Sequence, residues 1–263
     1  MNVSKVGVIG AGTMGEAVIA SLIRFGIAPS KISFVEKRSE RASEIENKYG
    51  LSRGSLDSCD VIFLVVKPQD LESTLQGLIS QISSSSLLIS FLAGKKIAAI
   101  EAQLPAQTRV VRVMPNTPMT LGKGMSAISA GTRATEEDVQ WVNSFLSSSG
   151  QTILVPEDQQ DAVTALSGSG PAYFFAMVEA MASAGEKLGL SKSDAMLAAQ
   201  QVLIGAAAMV EQSGKDPKTL RENVTSPNGT THAALTKFAD RQFSEIIYEA
   251  MAAARNRAIE LSN

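Results

Sequence analysis

Two short stretches hold residue types whose spacing could do chemistry. In VTSPNGTTHAAL, residues 224–235, a polar cup interrupts Ala-rich, helix-prone sequence: Ser226, Pro227, Asn228, Gly229, Thr230, Thr231 and the only histidine, His232. Pro-Asn-Gly reads as a turn, after which Thr230 or Thr231 begins a helix whose first N–H groups have no internal partner. Such a terminus can seat an anionic headgroup such as a carboxylate. The plainer alternative is a Ser/Thr helix cap that holds nothing. His232, beside a helix start, reads as a surface or capping residue rather than a general acid.

The second stretch is VIGAGTMG, in which Gly10, Gly12 and Gly15 fall in the spacing G-x-G-x-x-G after an apolar run and before a helix-prone one. In that context each glycine has a distinct role. The first permits a tight turn, the second lets the backbone approach a pyrophosphate, and the third lets the helix pack closely on the strand. The chemistry implied is dinucleotide binding, with the phosphates on the helix N-terminus.

The elements that position these stretches are legible in outline. KVGVI (5–9), KISFVE (31–36), DVIFLVV (60–66), SLLISFL (86–92) and RVVRVM (109–114) are continuous apolar runs suited to a parallel sheet covered on both faces. Helix-like segments at 13–26, 39–48 and 69–81 alternate with them, and 125–130 and 151–155 add strands at the far end. After about residue 156 the strands stop. Segment 158–188 reads as helix, bent or interrupted by SGSGP (167–171) and ended at Gly189. Ser191 with Asp194 resembles a capping box opening a helix over 192–212, which Gly214 closes; Asp216-Pro217 starts another, and 243–261 has helical spacing of apolar residues. The fold class is therefore an α/β Rossmann-type doubly wound sheet over 1–156, followed by an all-α domain over 157–263. The Ala and Met content of these helices points to close packing, including packing against another subunit.

Ligands in such sheets lie beyond the carboxyl ends of the strands. At the end of the second run, Glu36 suits the ribose hydroxyls of NAD(H), while Lys37 and Arg38 suit a 2′-phosphate. These residues favour NADP(H), with NAD(H) as the alternative; a third possibility is that 36–41 is simply a solvated charged turn. Val66, Lys67 and Pro68, the FLAG turn with Ala93 and Gly94, and Asn116 in MPNTP end three further strands and belong to the same crevice.

Bulk properties narrow the class. A length of 263 residues suits two modest domains, and a net charge of −2 gives nucleic-acid binding no support. One cysteine and one histidine exclude an intramolecular disulfide and speak against a Cys/His metal centre; counting leaves an all-carboxylate site open, and no metal is expected. The uncharged stretches 162–178 and 195–210 fall short of a membrane span and are expected to be buried helices. With no signal-peptide pattern, the expectation is a soluble, cytoplasmic protein that does not bind membranes.

GAGTMG, VKP, the AG at 93–94, RVMPNTP, LSGSGPAY (166–173) and VTSPNGTT occur in an order that resembles the pyrroline-5-carboxylate reductases, nearly end to end. The resemblance implies NAD(P)H-dependent reduction of the cyclic imine Δ1-pyrroline-5-carboxylate to L-proline, the last step of proline biosynthesis. It also implies that the helical domain dimerises through interleaved helices, often in a ring of five dimers. By position it places Gly10, Ala11, Gly12, Thr13 and Met14, the turn at Lys67 and Pro68, and Ala93 on the cofactor. Asn223, Ser226, Gly229, Thr230 and Thr231 form the substrate end, and Ser169, Gly170 and Pro171 stand beside the nicotinamide. Thr231 is the candidate catalytic residue, hydrogen-bonding the ring nitrogen as it becomes an amine. Relatives usually carry Gly-Gly where this chain has Asn228-Gly229, but Asn tolerates positive φ. Three alternatives stand beside this reading: another NAD(P)-dependent imine reductase, a β-hydroxyacid dehydrogenase, or a non-catalytic dinucleotide sensor. Hydroxyacid dehydrogenases place a catalytic lysine soon after the second glycine-rich motif, and residues 167–181 offer none.

Overall fold

A computed structural model describes Met1 and residues 3–262. By contacts the chain divides into two compact units, one of residues 1–169 with 254–263 and one of residues 170–253. The first is built on an eight-stranded sheet in the order β3-β2-β1-β4-β5-β6-β7-β8. Its parallel strands are β1 (Val6–Ile9), β2 (Ile32–Val35), β3 (Ser52–Arg53), β4 (Val61–Leu64), β5 (Leu87–Ser90) and β6 (Arg109–Met114). β7 (Gly124–Ala130) runs antiparallel to β6, and β8 (Gly150–Leu154) pairs parallel with β7. Order 3-2-1-4-5-6 is that of the doubly wound dinucleotide folds.

The sheet forms because its strands are apolar on both faces and each face finds helices to cover it. In β4, Val61 and Phe63 pack into one cluster with Phe34, Leu22, Ile45 and Phe145. These come from β2 and from α1 (Thr13–Arg24), α2 (Ser39–Tyr49) and α5 (Glu136–Ser147). Ile62 and Leu64 of the same strand point the other way, into a cluster with Leu71, Leu75, Ile97 and Ile100 of α3 (Leu71–Leu78) and α4 (Ile97–Glu101). Burying each such side chain is worth roughly 1.5–3 kcal/mol, and β4 gains it on both faces of the sheet.

Three features depart from the sequence reading. The sheet is mixed, because β6 and β7 are joined by a short 3₁₀ turn, Thr117–Leu121, closed by Gly122 at φ 72°, with no crossover helix to keep the next strand parallel. The edge strand β3 and the helices α4 and α5 are additional to the elements read from the sequence. α5 does carry a full capping box at Thr135 and Asp138, whose side chain and backbone bond reciprocally.

The expected interruption near SGSGP is real. α6 (Gln160–Val163) widens into a π turn at Thr164–Gly168, where the Ser169 N–H donates to Thr164 O at 2.8 Å. Pro171 has no N–H with which to reach back four residues to the Ser167 carbonyl. That carbonyl instead accepts from Nδ2 of Asn116 at 3.0 Å, so the proline vacates an acceptor that the MPNTP turn fills.

The second unit is helical: α7 (Gly170–Lys187), α8 (Lys192–Gln212), α9 (Pro217–Asn223), α10 (Thr230–Asp240) and most of α11 (Phe243–Ser262). The expected caps are in place. The Ser191 hydroxyl accepts the Asp194 N–H, although the Asp194 carboxylate accepts from that hydroxyl in place of the Ser191 N–H that a full capping box requires. Asp216 accepts the Thr219 N–H ahead of Pro217. α7 and α8 meet through small residues: Ala182, Ala195 and Ala199 are buried, and a Cβ built on Gly185 would lie 3.1 Å from that of Ala195. The expectation that 162–178 and 195–210 are buried does not hold within one chain. Phe174, Phe175, Leu197 and Ile204 are all more than half exposed. Among the described residues, α8 alone is long and apolar enough, by length and composition, to cross a membrane. A hydropathy pattern does not distinguish cover by the same chain from cover by another.

Candidate active site

The carboxyl ends of five parallel strands open into a cleft of about 820 Å³. Gly10, Gly12, Thr13 and Met14 line it after β1, and Glu36, Lys37 and Arg38 after β2. Val66, Lys67 and Pro68 contribute after β4, Ala93 after β5, and Met114, Pro115 and Thr117 after β6. Thus three loops that the sequence placed on one edge do share one cavity. The sequence reading missed the contribution of α3, whose Ser73, Thr74 and Gly77 form part of the wall. A polar face on the first turns of a helix that follows VKP was the available signal.

The glycine loop has the geometry its spacing demanded. Gly10 turns at φ 91°, a region that a side chain would strain. A Cβ on Gly15 would run into the Gly10 carbonyl, so α1 packs on the end of β1 only with glycine there. Over Gly12 the space is open: a Cβ built there meets nothing nearer than an Arg38 guanidinium nitrogen at 4.0 Å. Gly12 also serves as the N-cap of α1 in an extended conformation, and no side chain caps the helix. The free amides and the dipole end therefore face a cavity of dinucleotide size, which fits a pyrophosphate.

Glu36 is nearly buried, and both of its oxygens are in use. Oε2 accepts the Ala11 N–H at 2.9 Å, while Oε1 accepts the Arg38 N–H at 3.1 Å and its Nε at 3.0 Å. Burial pushes this carboxyl up, but the Arg38 guanidinium and the Arg38 and Ala11 N–H groups outweigh it and hold it below the usual carboxylate range. Arg38 itself remains 66% exposed, with its side chain turned over the loop.

Three expected cofactor residues stand outside the lining of the cleft. Ala11 is fully buried beneath the loop. Gly94, at φ 72°, backs onto Ala258 and Leu261 in the last turns of α11. Asn116 is buried, with its oxygen taken by the Met125 N–H at 2.8 Å and one amide hydrogen by Ser167 O. Ser169, half-buried, follows the π turn; next to it, a Cβ on Gly168 would lie 2.5 Å from the Met114 methyl carbon, and Met114 lines the cleft.

The cup at 224–231 is described within its own unit. Asn228 takes the positive φ expected of it, 59°, and the Gly229 N–H closes the turn on Ser226 O at 3.0 Å. Gly229, extended at φ −81° and ψ 176°, is the N-cap of α10, again without a side-chain cap. Asn223, Ser226 and Thr230 are exposed, and Gly229 and Thr231 are half-buried. His232 is exposed on the first turn of α10.

Sheet order, cleft and glycine loop together define a Rossmann-type dinucleotide-binding protein with a helical second half. Residues 157–261 match the sequence model of pyrroline-5-carboxylate reductase dimerisation, and residues 5–94 match that of coenzyme F420-dependent NADP oxidoreductases. A pyrroline-5-carboxylate reductase of Corynebacterium melassecola is 39% identical over 98% of both chains. Among solved structures, the Coxiella burnetii pyrroline-5-carboxylate reductase superposes with a TM-score of 0.91 at 33% identity, over 100% of both chains. The Plasmodium falciparum enzyme, solved with NADP bound, gives 0.85 at 28% over 98% of each. The chain belongs to the pyrroline-5-carboxylate reductase family.

Proposed function

We propose that the protein reduces Δ1-pyrroline-5-carboxylate to L-proline with NADPH, in the cytoplasm, as the last step of proline biosynthesis. The end-to-end match to pyrroline-5-carboxylate reductases, on a chain whose own cleft is built for a dinucleotide, carries the reading. The glycine loop and the N-terminus of α1 hold the pyrophosphate. Arg38, with Lys37 beside it, receives the 2′-phosphate. The Arg38 guanidinium, largely exposed and lining the cleft with Lys37, supports NADP(H) over NAD(H).

The substrate carboxylate is seated on the uncapped N-terminus of α10, on the amides of Thr230 and Thr231, with Asn223, Ser226 and Gly229 shaping the cup and Ser169 toward the ring. The bound cofactor supplies the hydride. The imine enters protonated, so its nitrogen already carries the proton the amine keeps; the protein has to hold the imine carbon in line, exclude water and satisfy the lone pair that forms on nitrogen. The Thr231 hydroxyl does the last of these. A helical domain over 157–263 dimerises through the exposed faces of α7 and α8, and five such dimers close a ring. The family's dimerisation model over 157–261 and the exposed apolar side chains support the dimer.

Adding Δ1-pyrroline-5-carboxylate to the protein with NADPH should oxidise the cofactor with stoichiometric formation of proline. No turnover with that imine, together with oxidation of a linear hydroxyacid, would reverse the assignment.

A further inference from the structure

The backbone of Ala11, at the centre of the glycine loop, is held at both of its peptide units by opposite charges. Its N–H donates to the Glu36 carboxylate at 2.9 Å. Its carbonyl accepts from Nε of Arg41 at 2.9 Å. Arg41 lies on the first turn of α2, and the rest of its guanidinium is committed away from the cleft. NH1 donates to Glu44 at 2.9 Å, and NH2 pairs with Glu16 on α1. Glu16 in turn accepts from Lys48 Nζ at 2.7 Å and the Tyr49 hydroxyl at 3.0 Å. These contacts, the Lys48 ammonium first among them, hold its carboxyl down to about 2, so it stays charged at any working pH.

A residue fixed at both its N–H and its carbonyl cannot rotate freely. Rotation at Ala11 would turn the next amides, those of Gly12 and Thr13, away from the space over the loop. We propose that Arg41 is a positioning residue for the cofactor: together with Glu36 it locks the Ala11 backbone so that the following amides are aimed at the pyrophosphate before any ligand arrives. Arg41 does not line the cleft, whereas Arg38 does. The two arginines, three residues apart, thus divide the work. Arg38 recognises what distinguishes NADP(H), and Arg41 orders the loop that serves NADP(H) and NAD(H) alike. This rests on the cofactor site proposed above.

The test is binding of both cofactors, followed by protein fluorescence, to the wild type and to Arg41→Met, Arg41→Lys and Arg38→Met. Losing a charge-assisted hydrogen bond that fixes the loop should weaken NADPH and NADH by the same factor, roughly tenfold, in Arg41→Met. KM for NADPH should rise in parallel while kcat at saturating cofactor and KM for the imine stay within about twofold. Glu16 keeps Lys48 and Tyr49 as partners, so the melting temperature should shift by no more than about 3 °C. Arg41→Lys keeps the ion pair with Glu16 and should stay folded, with an intermediate loss shared equally by the two cofactors. Arg38→Met should weaken NADPH alone. Unchanged cofactor affinity in both Arg41 variants would overturn the inference, and so would a loss confined to NADPH, which would make Arg41 a phosphate ligand. A wild type that bound neither dinucleotide would remove the cofactor site itself, and the inference with it.

Discussion

The N-termini of α1 and α10 use the same local device in opposite surroundings. Each helix is opened by a glycine in an extended conformation, Gly12 and Gly229, and neither has a side-chain cap. By contrast α5, α8 and α9 are capped by Thr135, Ser191 and Asp216, while α2, α3, α4 and α6 lack a side-chain cap but open on Arg38, Asp70, Lys96 and Gln159, none of them glycine. Leaving a helix end uncapped forgoes about 1 kcal/mol, which an arriving anion can return. The α1 end is rigid. It follows a buried strand, Ala11 is fully enclosed, and the Glu36 and Arg41 contacts lock its orientation. The α10 end is held by its own turn, from the Gly229 N–H to Ser226 O, and most of its side chains are exposed. One sequence signature, Gly then Thr at a helix start, therefore gives a preorganised helix end or an open one according to what packs behind it.

The largest effect should come from disturbing the rigid end. Gly15→Ala sets a methyl group against the Gly10 carbonyl, which as backbone cannot yield, and should cost roughly 3 kcal/mol. Thermal unfolding should record the loss, and cofactor affinity should fall by more than about a hundredfold, if the tight seat of α1 on β1 is what makes this end a phosphate site. Normal affinity in that variant would break the contrast. A smaller effect is expected at the open end. Thr231→Ala should lower kcat about a hundredfold, the scale of losing one hydrogen bond that forms only as the nitrogen gains its lone pair, while leaving cofactor affinity and melting temperature intact. Steady-state kinetics with unchanged kcat and imine KM would leave Thr231 as an ordinary first-turn residue.

The sheet was legible because a strand buried on both faces is mostly apolar: Val61–Leu64 is wholly so, and Arg109–Met114 departs at its buried centre only in Arg112, whose guanidinium pairs with Glu157 and Asp161. Direction was not legible. Nothing in MSAISA says that it runs against its neighbour; the short Thr117–Leu121 turn decides that. β3 was invisible because Ser52–Arg53 is two exposed residues long. α5 had a signal, since Val142, Phe145 and Leu146 recur at helical spacing behind a Thr-x-x-Asp cap. In the site, the glycines could be read because each is required by backbone geometry. Arg41 could not: on a helix surface it resembles any solvated arginine, and only the packing of α2 beside α1 brings it to the Ala11 carbonyl. Asn116 illustrates the converse. Its amide suggested a ligand contact, yet its oxygen and one hydrogen join two turns of the chain.

The decisive measurement is a crystal structure of the protein with NADP⁺ and L-proline bound together. The pyrophosphate should lie on the amides of Gly12 and Thr13, the proline carboxylate on those of Thr230 and Thr231, and the Thr231 hydroxyl on the ring nitrogen. A proline carboxylate held elsewhere, with the amides of Thr230 and Thr231 facing only solvent, would contradict the proposed division between a rigid cofactor seat and an open substrate seat.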